Sequence, residues 1–160
     1  MKLSTLLEST TLPKVSSLDD LKGATEPVNV TNSVDLRKKK LNRLPVKFGT
    51  VGTNFNVRGN LLTSLEGAPS KVEYFICSSN KITSLVGIHK IIKECVGIFI
   101  LNNPIKEGGL GLLLIKNLEQ IETDLPALDI IYKYLGKGKR GMIDCQTELI
   151  KEGYKDFAKL

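Results

Sequence analysis

The side chains best suited to chemistry in this sequence are three cysteines and one histidine. Thiolates and imidazoles bind zinc or act as nucleophiles and general bases, but both roles need several such groups at defined spacings. Cys77, Cys95 and Cys145 form no CxxC pair, and His89 is the single histidine. We therefore predict that the protein is not an enzyme and binds no metal or cofactor. Cys77 and Cys95 fall at positions predicted to be buried, whereas Cys145 is predicted to be the more accessible thiol.

A glycine-rich run that matches the pattern GxGxxG spans Gly136 to Gly141. Such a run cradles phosphates when it follows a strand and opens a helix. Here it follows a predicted helix, so we predict a flexible loop between two helices. The alternative is a basic loop in which Lys137, Lys139 and Arg140 contact an acidic partner or a nucleic-acid backbone.

A second basic cluster comprises Arg37, Lys38, Lys39 and Lys40. A run of like charges is usually a solvated surface, which is the preferred interpretation here; the alternative is a phosphate-binding patch. Neither cluster is interleaved with aromatic residues, and the chain contains no tryptophan. This weakens a role in binding single strands, because bases stack on exposed aromatic rings.

Length, composition and charge predict one soluble domain. The chain has 160 residues, of which 41% are hydrophobic, and a formal net charge of +6. Its longest apolar stretch, Leu110 to Ile115, is far shorter than the roughly 18 residues that cross a bilayer. The odd number of cysteines and an early acidic residue, Glu8, argue against secretion, so we predict a cytoplasmic protein.

The middle of the chain contains a phrase that recurs. The segments Phe55 to Gly67 and Phe75 to Gly87 align without a gap at an offset of 20 residues. An earlier copy begins at Val34, and a later one is aligned to begin at Phe99, with one residue lost within it. Each copy follows apolar-x-apolar-x-x-Asn-x-apolar-x-x-Leu, which is typical of leucine-rich repeats of 20 to 29 residues.

The phrase predicts an α/β repeat fold, a short leucine-rich-repeat solenoid with a parallel β-sheet. Alternation such as Phe55 and Val57 gives each copy a short strand with one buried face. Asn60 and Asn80 stand where the chain leaves the strand, and their amides are predicted to bond to backbone groups of adjacent copies. The alternative is an ordinary β-meander whose strands happen to look alike.

Two blocks of the repeat carry a resemblance to a known group of proteins. The blocks are Leu62 to Pro69 and Cys77 to Asn80, and the likeness spans about Val34 to Ile115. Here the chain resembles short leucine-rich-repeat proteins encoded by tailed bacteriophages. The resemblance implies a phage origin and a life in the host cell cytoplasm, and it implies no catalytic residue. Lys39 replaces the expected asparagine in the first copy, which indicates a short array.

The chain is thereby divided into residues 1–33 as an N-terminal flank or cap, residues 34–115 as the repeats, and residues 116–160 as a C-terminal helical cap. About four copies are predicted, starting near residues 34, 55, 75 and 99. The C-terminal cap is predicted as a helical hairpin, with helices over Asp124–Leu135 and Met142–Phe157 and an interruption near Gly153. The N-terminal flank is predicted to open with a helix through Leu3, Leu6 and Leu7, followed by a loop over Thr10–Val28.

Stacked repeats expose one face of their sheet, and this face predicts a protein-binding module. Ile76 and Ile100 would lie on it as adjacent outward isoleucines, which contact either a partner or a flank of the same chain. The resemblance suggests that the partner is a host bacterial protein. The alternative function is accessory nucleic-acid binding through the basic clusters and Arg58. The residues predicted on the concave face are Asp35, Arg37, Asn56, Arg58, Ile76, Ser78, Ile100 and Asn102.

Overall fold

A computed structural model describes residues 8–160 as a mixed α/β protein with two parallel β-sheets. The predicted helix through Leu3, Leu6 and Leu7 lies outside the described residues. The strands are β1 (Thr11–Leu12), β2 (Val28–Val30), β3 (Val34–Asp35), β4 (Phe48–Val51), β5 (Asn54–Asn56), β6 (Tyr74–Ile76), β7 (Gly97–Phe99) and β8 (Gln120–Glu122). The helices are α1 (Ile88–Ile91), α2 (Leu128–Tyr134) and α3 (Gly138–Lys151), with 3₁₀ helices at Asp19–Leu21, Leu110–Leu114 and Lys155–Ala158.

The larger sheet has five parallel strands in the order β3-β5-β6-β7-β8. Phe55 pairs with Phe75 and Asn56 with Ile76, which is the 20-residue offset seen in the sequence. In β3, β5, β6 and β8 the buried residues alternate with half-buried or exposed ones, whereas in β7 Gly97 is buried together with Ile98. A sheet with one buried and one open face needs this period of two, because successive side chains point to opposite faces.

A smaller parallel sheet, β1-β2-β4, lies on the other side of the core. Isolated bridges continue it along the chain, from Thr50 to Lys71, from Lys71 to Glu94 and from Glu94 to Lys116. The prediction of a loop over Thr10–Val28 is wrong at both ends, because β1 and the start of β2 are strands there. These strands are two and three residues long, which is too short to show a periodic pattern.

Aromatic side chains fill the core between the sheets. The Phe48 ring meets the Phe55 ring edge to face, with centroids 4.9 Å apart, and Phe55 stacks on Phe75 at 5.7 Å. All three rings are almost wholly buried. Each such ring removes a large apolar area from water and gains further from ordered ring-to-ring contact, so this row ties consecutive strands together.

Three buried asparagines bond to the backbone where the chain leaves the larger sheet. Asn80 Nδ2 donates to the carbonyls of Val57 (3.1 Å) and Cys77 (3.0 Å), and Asn80 Oδ1 accepts from the amide of Leu62 (3.0 Å). Asn60 makes the same kind of bonds, as predicted. These amides satisfy backbone groups that lie away from water and would otherwise be unpaired.

The third asparagine of this set corrects the predicted alignment. Asn103, not Asn102, is buried and bonds to the backbone of neighbouring strands. Ile98 pairs with Phe75, so the offset between these strands is 23 residues and no residue is lost. The predicted start of the fourth copy at Phe99 is therefore one residue late.

Both C-terminal helices depart from their predicted bounds: the first begins four residues late, and the second begins four residues early and ends six residues early. The first begins at Leu128 rather than Asp124, and the second runs from Gly138 to Lys151. The predicted interruption near Gly153 is confirmed: Gly153 has φ of 87°, and the amide of Tyr154 donates to the carbonyl of Leu149. A glycine in this left-handed conformation closes a helix without a steric penalty from Cβ.

Helix α2 also occupies the free edge of β8. The Tyr132 hydroxyl accepts from the Ile121 amide at 2.6 Å and donates to the Ile121 carbonyl at 2.8 Å. One phenol thus satisfies the two backbone groups that a further strand would pair, which protects the edge from pairing with another chain.

Candidate functional site

The face of the five-stranded sheet that points away from the core is the candidate site. We call it the open face. It presents polar residues on β3 and β5, apolar residues on β6 and β7, and acidic residues on β8. Its side chains belong to Asp35, Arg37, Asn56, Arg58, Tyr74, Ile76, Phe99, Leu101, Glu122 and Asp124.

The end of the open face at β3 holds its charges in fixed positions. The Arg37 guanidinium donates from Nε (2.9 Å) and Nη2 (2.7 Å) to the two carboxylate oxygens of Asp35. This bidentate pair lowers the pKa of Asp35, because it stabilises the carboxylate. Asn56 Oδ1 accepts from the Arg58 backbone amide at 3.1 Å. The Arg58 side chain is exposed and has no carboxylate partner among residues 8–160.

The centre of the open face is apolar. Ile76 pairs with Phe99 in the sheet, and the Phe99 ring centroid lies 6.3 Å from that of Tyr74. Gly97 makes room for both rings: a Cβ there would lie 2.8 Å from Tyr74 Cδ1 and 3.0 Å from Phe99 Cε2. The absence of a side chain at Gly97 therefore leaves space for both aromatic rings. Leu101 extends this strip and, like the rings, is half-buried.

The end of the open face at β8 is acidic. Glu122 accepts from Gln120 Nε2 at 3.1 Å, and Asp124 Oδ2 accepts from the backbone amide of Asn102 at 2.5 Å. Neither carboxylate has a lysine or arginine partner among residues 8–160. The open face therefore has an apolar centre between a basic and an acidic end.

Two residues predicted on the concave face are buried. Ile100 is wholly buried, because the corrected register turns it inward and brings Phe99 to the surface. Ser78 follows Ile76 at the outward spacing of two residues, but only 8% of it is exposed, so it is not accessible to a partner. The outward-facing prediction for Ile100 is wrong, whereas Asn102 is exposed beside the strand end.

The sequence prediction missed Tyr74, Phe99 and Leu101. The missing signal was a gap-free alignment of Phe75–Asn80 with Ile98–Asn103, which puts an asparagine last in both segments. Because Asn102 and Asn103 are adjacent, two alignments are possible. The predicted alignment, which starts at Phe99 and loses one residue, is the incorrect one of the two.

The two predicted basic clusters lie at opposite ends of the larger sheet. Arg37 to Lys40 follow β3, whereas Lys137, Lys139 and Arg140 belong to the helices that follow β8. The predicted flexible loop over Gly136 to Gly141 is largely helical, because α3 begins at Gly138. The structure thus does not join the two clusters into one surface.

Cys145 is as buried as the other cysteines, so the prediction that it is the accessible thiol is wrong. Cys77, Cys95 and Cys145 are all at most 1% exposed. Burial disfavours the thiolate and raises the pKa of Cys77 to about 12 and those of Cys95 and Cys145 to about 11.

We expect none of the three thiols to react with a disulfide reagent in the native protein at pH 8, and all three to react after denaturation. The thiolate is the reactive form, and both its population and its accessibility are suppressed here. A colorimetric thiol count before and after adding guanidinium measures this. Rapid labelling of one native thiol would contradict the burial of that cysteine.

His89 and the acidic residues do not assemble a metal site in the described part of the chain. His89 Nδ1 is buried and makes no hydrogen bond, and burial lowers the pKa of the imidazole. Over residues 8–160, no group of three or more histidine, cysteine or acidic side chains could hold an ion. No helix in this range combines the length and apolar character needed to cross a bilayer.

Compared with known proteins, the chain matches no family model, no curated protein and no solved structure.

Proposed function

We propose that this protein is a short leucine-rich-repeat solenoid that works as a non-enzymatic protein-binding module. The observation that carries the binding role is the apolar strip of Tyr74, Ile76, Phe99 and Leu101 at the centre of the open face. Aromatic and aliphatic side chains surrounded by polar ones are the usual composition of the central part of a protein interface.

The solenoid is supported by the order of the strands and by the asparagine bonds. Strands β3, β5, β6, β7 and β8 follow one another in the sheet in the order of the sequence, and all pairings are parallel. Buried Asn60, Asn80 and Asn103 recur at the end of three of them. A chain that advances by one strand in each repeat produces this pattern.

The partner we propose is a host bacterial protein, and the site of action is the cytoplasm of the host cell. This part of the proposal rests on the resemblance of Leu62 to Pro69 and Cys77 to Asn80 to phage-encoded repeat proteins, which is an analogy. The buried, reduced-state thiols of Cys77, Cys95 and Cys145 are compatible with that compartment.

The open face could be covered either by a flank of the same chain or by a partner protein. The pairing of the described part of the N-terminal flank favours a partner protein. Residues 8–33 pair with β4 through β2 and with β3 through Val15. They therefore pack along the smaller sheet and the β3 edge. The C-terminal helices pack against each other and against Leu110–Leu114.

The proposed binding is tested by using the purified protein as bait in a bacterial lysate treated with nuclease, at low and high salt. We expect the wild type to retain a discrete host protein, and the double variant Ile76→Asp, Phe99→Asp to lose it. Placing two carboxylates in the apolar centre should weaken binding at least about thirtyfold, as hot-spot losses of about 2 kcal/mol do. The affinity is then measured by calorimetry with the purified partner.

The matched control is the double variant Ile143→Asp, Ile150→Asp on α3. These isoleucines are 59% and 53% exposed, so the control adds the same charge and removes the same kind of side chain elsewhere. The control should retain the partner. Equal retention by the Ile76→Asp, Phe99→Asp variant would show that the open face does not bind the partner.

A further inference from the structure

The positive charge of this protein is concentrated in one part of the chain. Residues 37–93 contain eleven lysines and arginines and two acidic residues, whereas the rest of the chain contains twelve and fifteen. The net charge of +6 is thus the sum of a strongly basic middle segment and weakly acidic flanks. Stacking of the strands keeps this middle together, because β5 and β6 are neighbours in the sheet.

Four of these cations line a single groove on a different surface from the open face. The groove lies on the segments that connect the larger sheet to the smaller one, over residues 42–49, 63–70 and 90–93, and it has a volume of about 1030 Å³. Its basic side chains are Arg43, Lys47, Lys90 and Lys93. All four are exposed, and none has a carboxylate within 4.0 Å among residues 8–160.

Neutral and acidic side chains complete the groove. Asn42, Thr63 and Ser64 provide amide and hydroxyl groups that can donate hydrogen bonds. Glu26 and Glu66 are the two carboxylates in the lining, so the cations outnumber them two to one. The basic run Arg37 to Lys40 precedes Asn42 in the sequence but is not part of this lining.

We propose that this groove binds the phosphodiester backbone of a nucleic acid. The groove is larger than one phosphate needs, and its cations come from separate segments of the chain, as suits an extended polyanion. Its one aromatic residue, Phe48, is buried in the core and offers no ring to a base. Recognition is therefore of the backbone, without sequence preference, and a duplex is bound at least as well as a single strand.

The test measures binding of fluorescein-labelled duplex and single-stranded DNA of mixed sequence by anisotropy over a range of salt concentrations. The groove variant carries Arg43→Gln, Lys47→Gln, Lys90→Gln and Lys93→Gln. We expect the wild-type affinity for the duplex to fall with salt at a logarithmic slope of about −3.6, since each of four contacts contributes about −0.9. The groove variant should bind at least about thirtyfold more weakly in low salt and show a slope near zero.

A control variant with the same net charge carries Lys137→Gln, Lys139→Gln, Arg140→Gln and Lys151→Gln. It removes four exposed cations from the other end of the molecule, so general electrostatic attraction is reduced equally. It should lose less than about threefold in affinity, because long-range contributions are screened by salt. A variant with Lys47→Arg, Lys90→Arg and Lys93→Arg should bind like the wild type.

Three results would overturn the proposal: no binding of either DNA by the wild type, equal losses in the groove and control variants, or equal competition by poly-glutamate of matched charge. The last would indicate an acidic protein as the ligand. Circular dichroism checks that each variant is folded. The Ile76→Asp, Phe99→Asp variant should bind DNA normally, so failure of the groove and failure of the open face are told apart.

Discussion

Replacement of Ile100 by aspartate is expected to unfold the protein. Ile100 is 0% exposed and lies one position beyond β7, and its carbonyl accepts a hydrogen bond from Asn103 Nδ2. Loss of the buried side chain costs about 2 to 5 kcal/mol, and a carboxyl group without partners adds several more. The sum is comparable with the whole stability of a domain, about 5 to 15 kcal/mol. Urea titration followed by circular dichroism, with gel filtration in buffer, measures the result.

The same change one residue earlier gives the matched control. Phe99→Asp places its carboxylate on the open face, where water reaches it, so the protein should remain folded and lose far less stability than with Ile100→Asp. This pair tests the register between β6 and β7 directly, because a shift of one residue exchanges the two faces of a strand. A folded Ile100→Asp variant together with an unfolded Phe99→Asp variant would instead support the predicted alignment, in which Phe99 is buried and Ile100 faces outward.

The register between two strands could be predicted where one asparagine follows each strand, but not where two adjacent asparagines follow it. Asn60 and Asn80 are each the single asparagine in the turn that follows their strand, so the alignment of β5 with β6 has one solution. Before the pair Asn102 and Asn103 the sequence has four consecutive apolar residues, Ile98 to Leu101. Such a run contains no alternation, and Asn102 offers a second anchor.

The smaller sheet could not be predicted from local pattern. Strands β1, β2 and β4 are two to four residues long, and they pair with segments about 20 residues away. Short strands of this kind are stable only through their neighbours. The burial of Cys145 has a similar cause: it depends on the packing of α3 against α2 and the Leu110–Leu114 helix, which no single segment encodes.

The candidate site was predicted in part. Alternation of apolar residues in a strand shows which side chains point outward, but not which side chains of other segments lie beside them. Asp35, Arg37, Asn56, Arg58 and Ile76 were placed on the face where the structure has them. The basic groove on the segments that connect the two sheets was not predicted. Its basic residues are scattered over more than 50 positions of sequence, and only the stacking of the connecting segments brings them to one surface.

The buried asparagines give the second large effect, and their costs should differ with position. In Asn80→Ala, the carbonyls of Val57 and Cys77 keep bonds from Asn60 and Asn103, so the Leu62 amide alone loses its partner. One unsatisfied buried donor costs about 1 to 3 kcal/mol.

Asn103→Ala should cost more than Asn80→Ala. It removes the partner of the Ile82 amide and also the bond to the Ile100 carbonyl, which no other asparagine contacts. Two unsatisfied groups predict a loss of about 2 to 5 kcal/mol. Asn102→Gly is the control: Asn102 is exposed with φ of 56°, a conformation that glycine adopts freely, so its loss should be within about 0.5 kcal/mol. Urea unfolding of the three variants measures the order. Equal losses for Asn102→Gly and Asn103→Ala would mean that the hydrogen bonds from Asn103 to the backbone contribute nothing to stability.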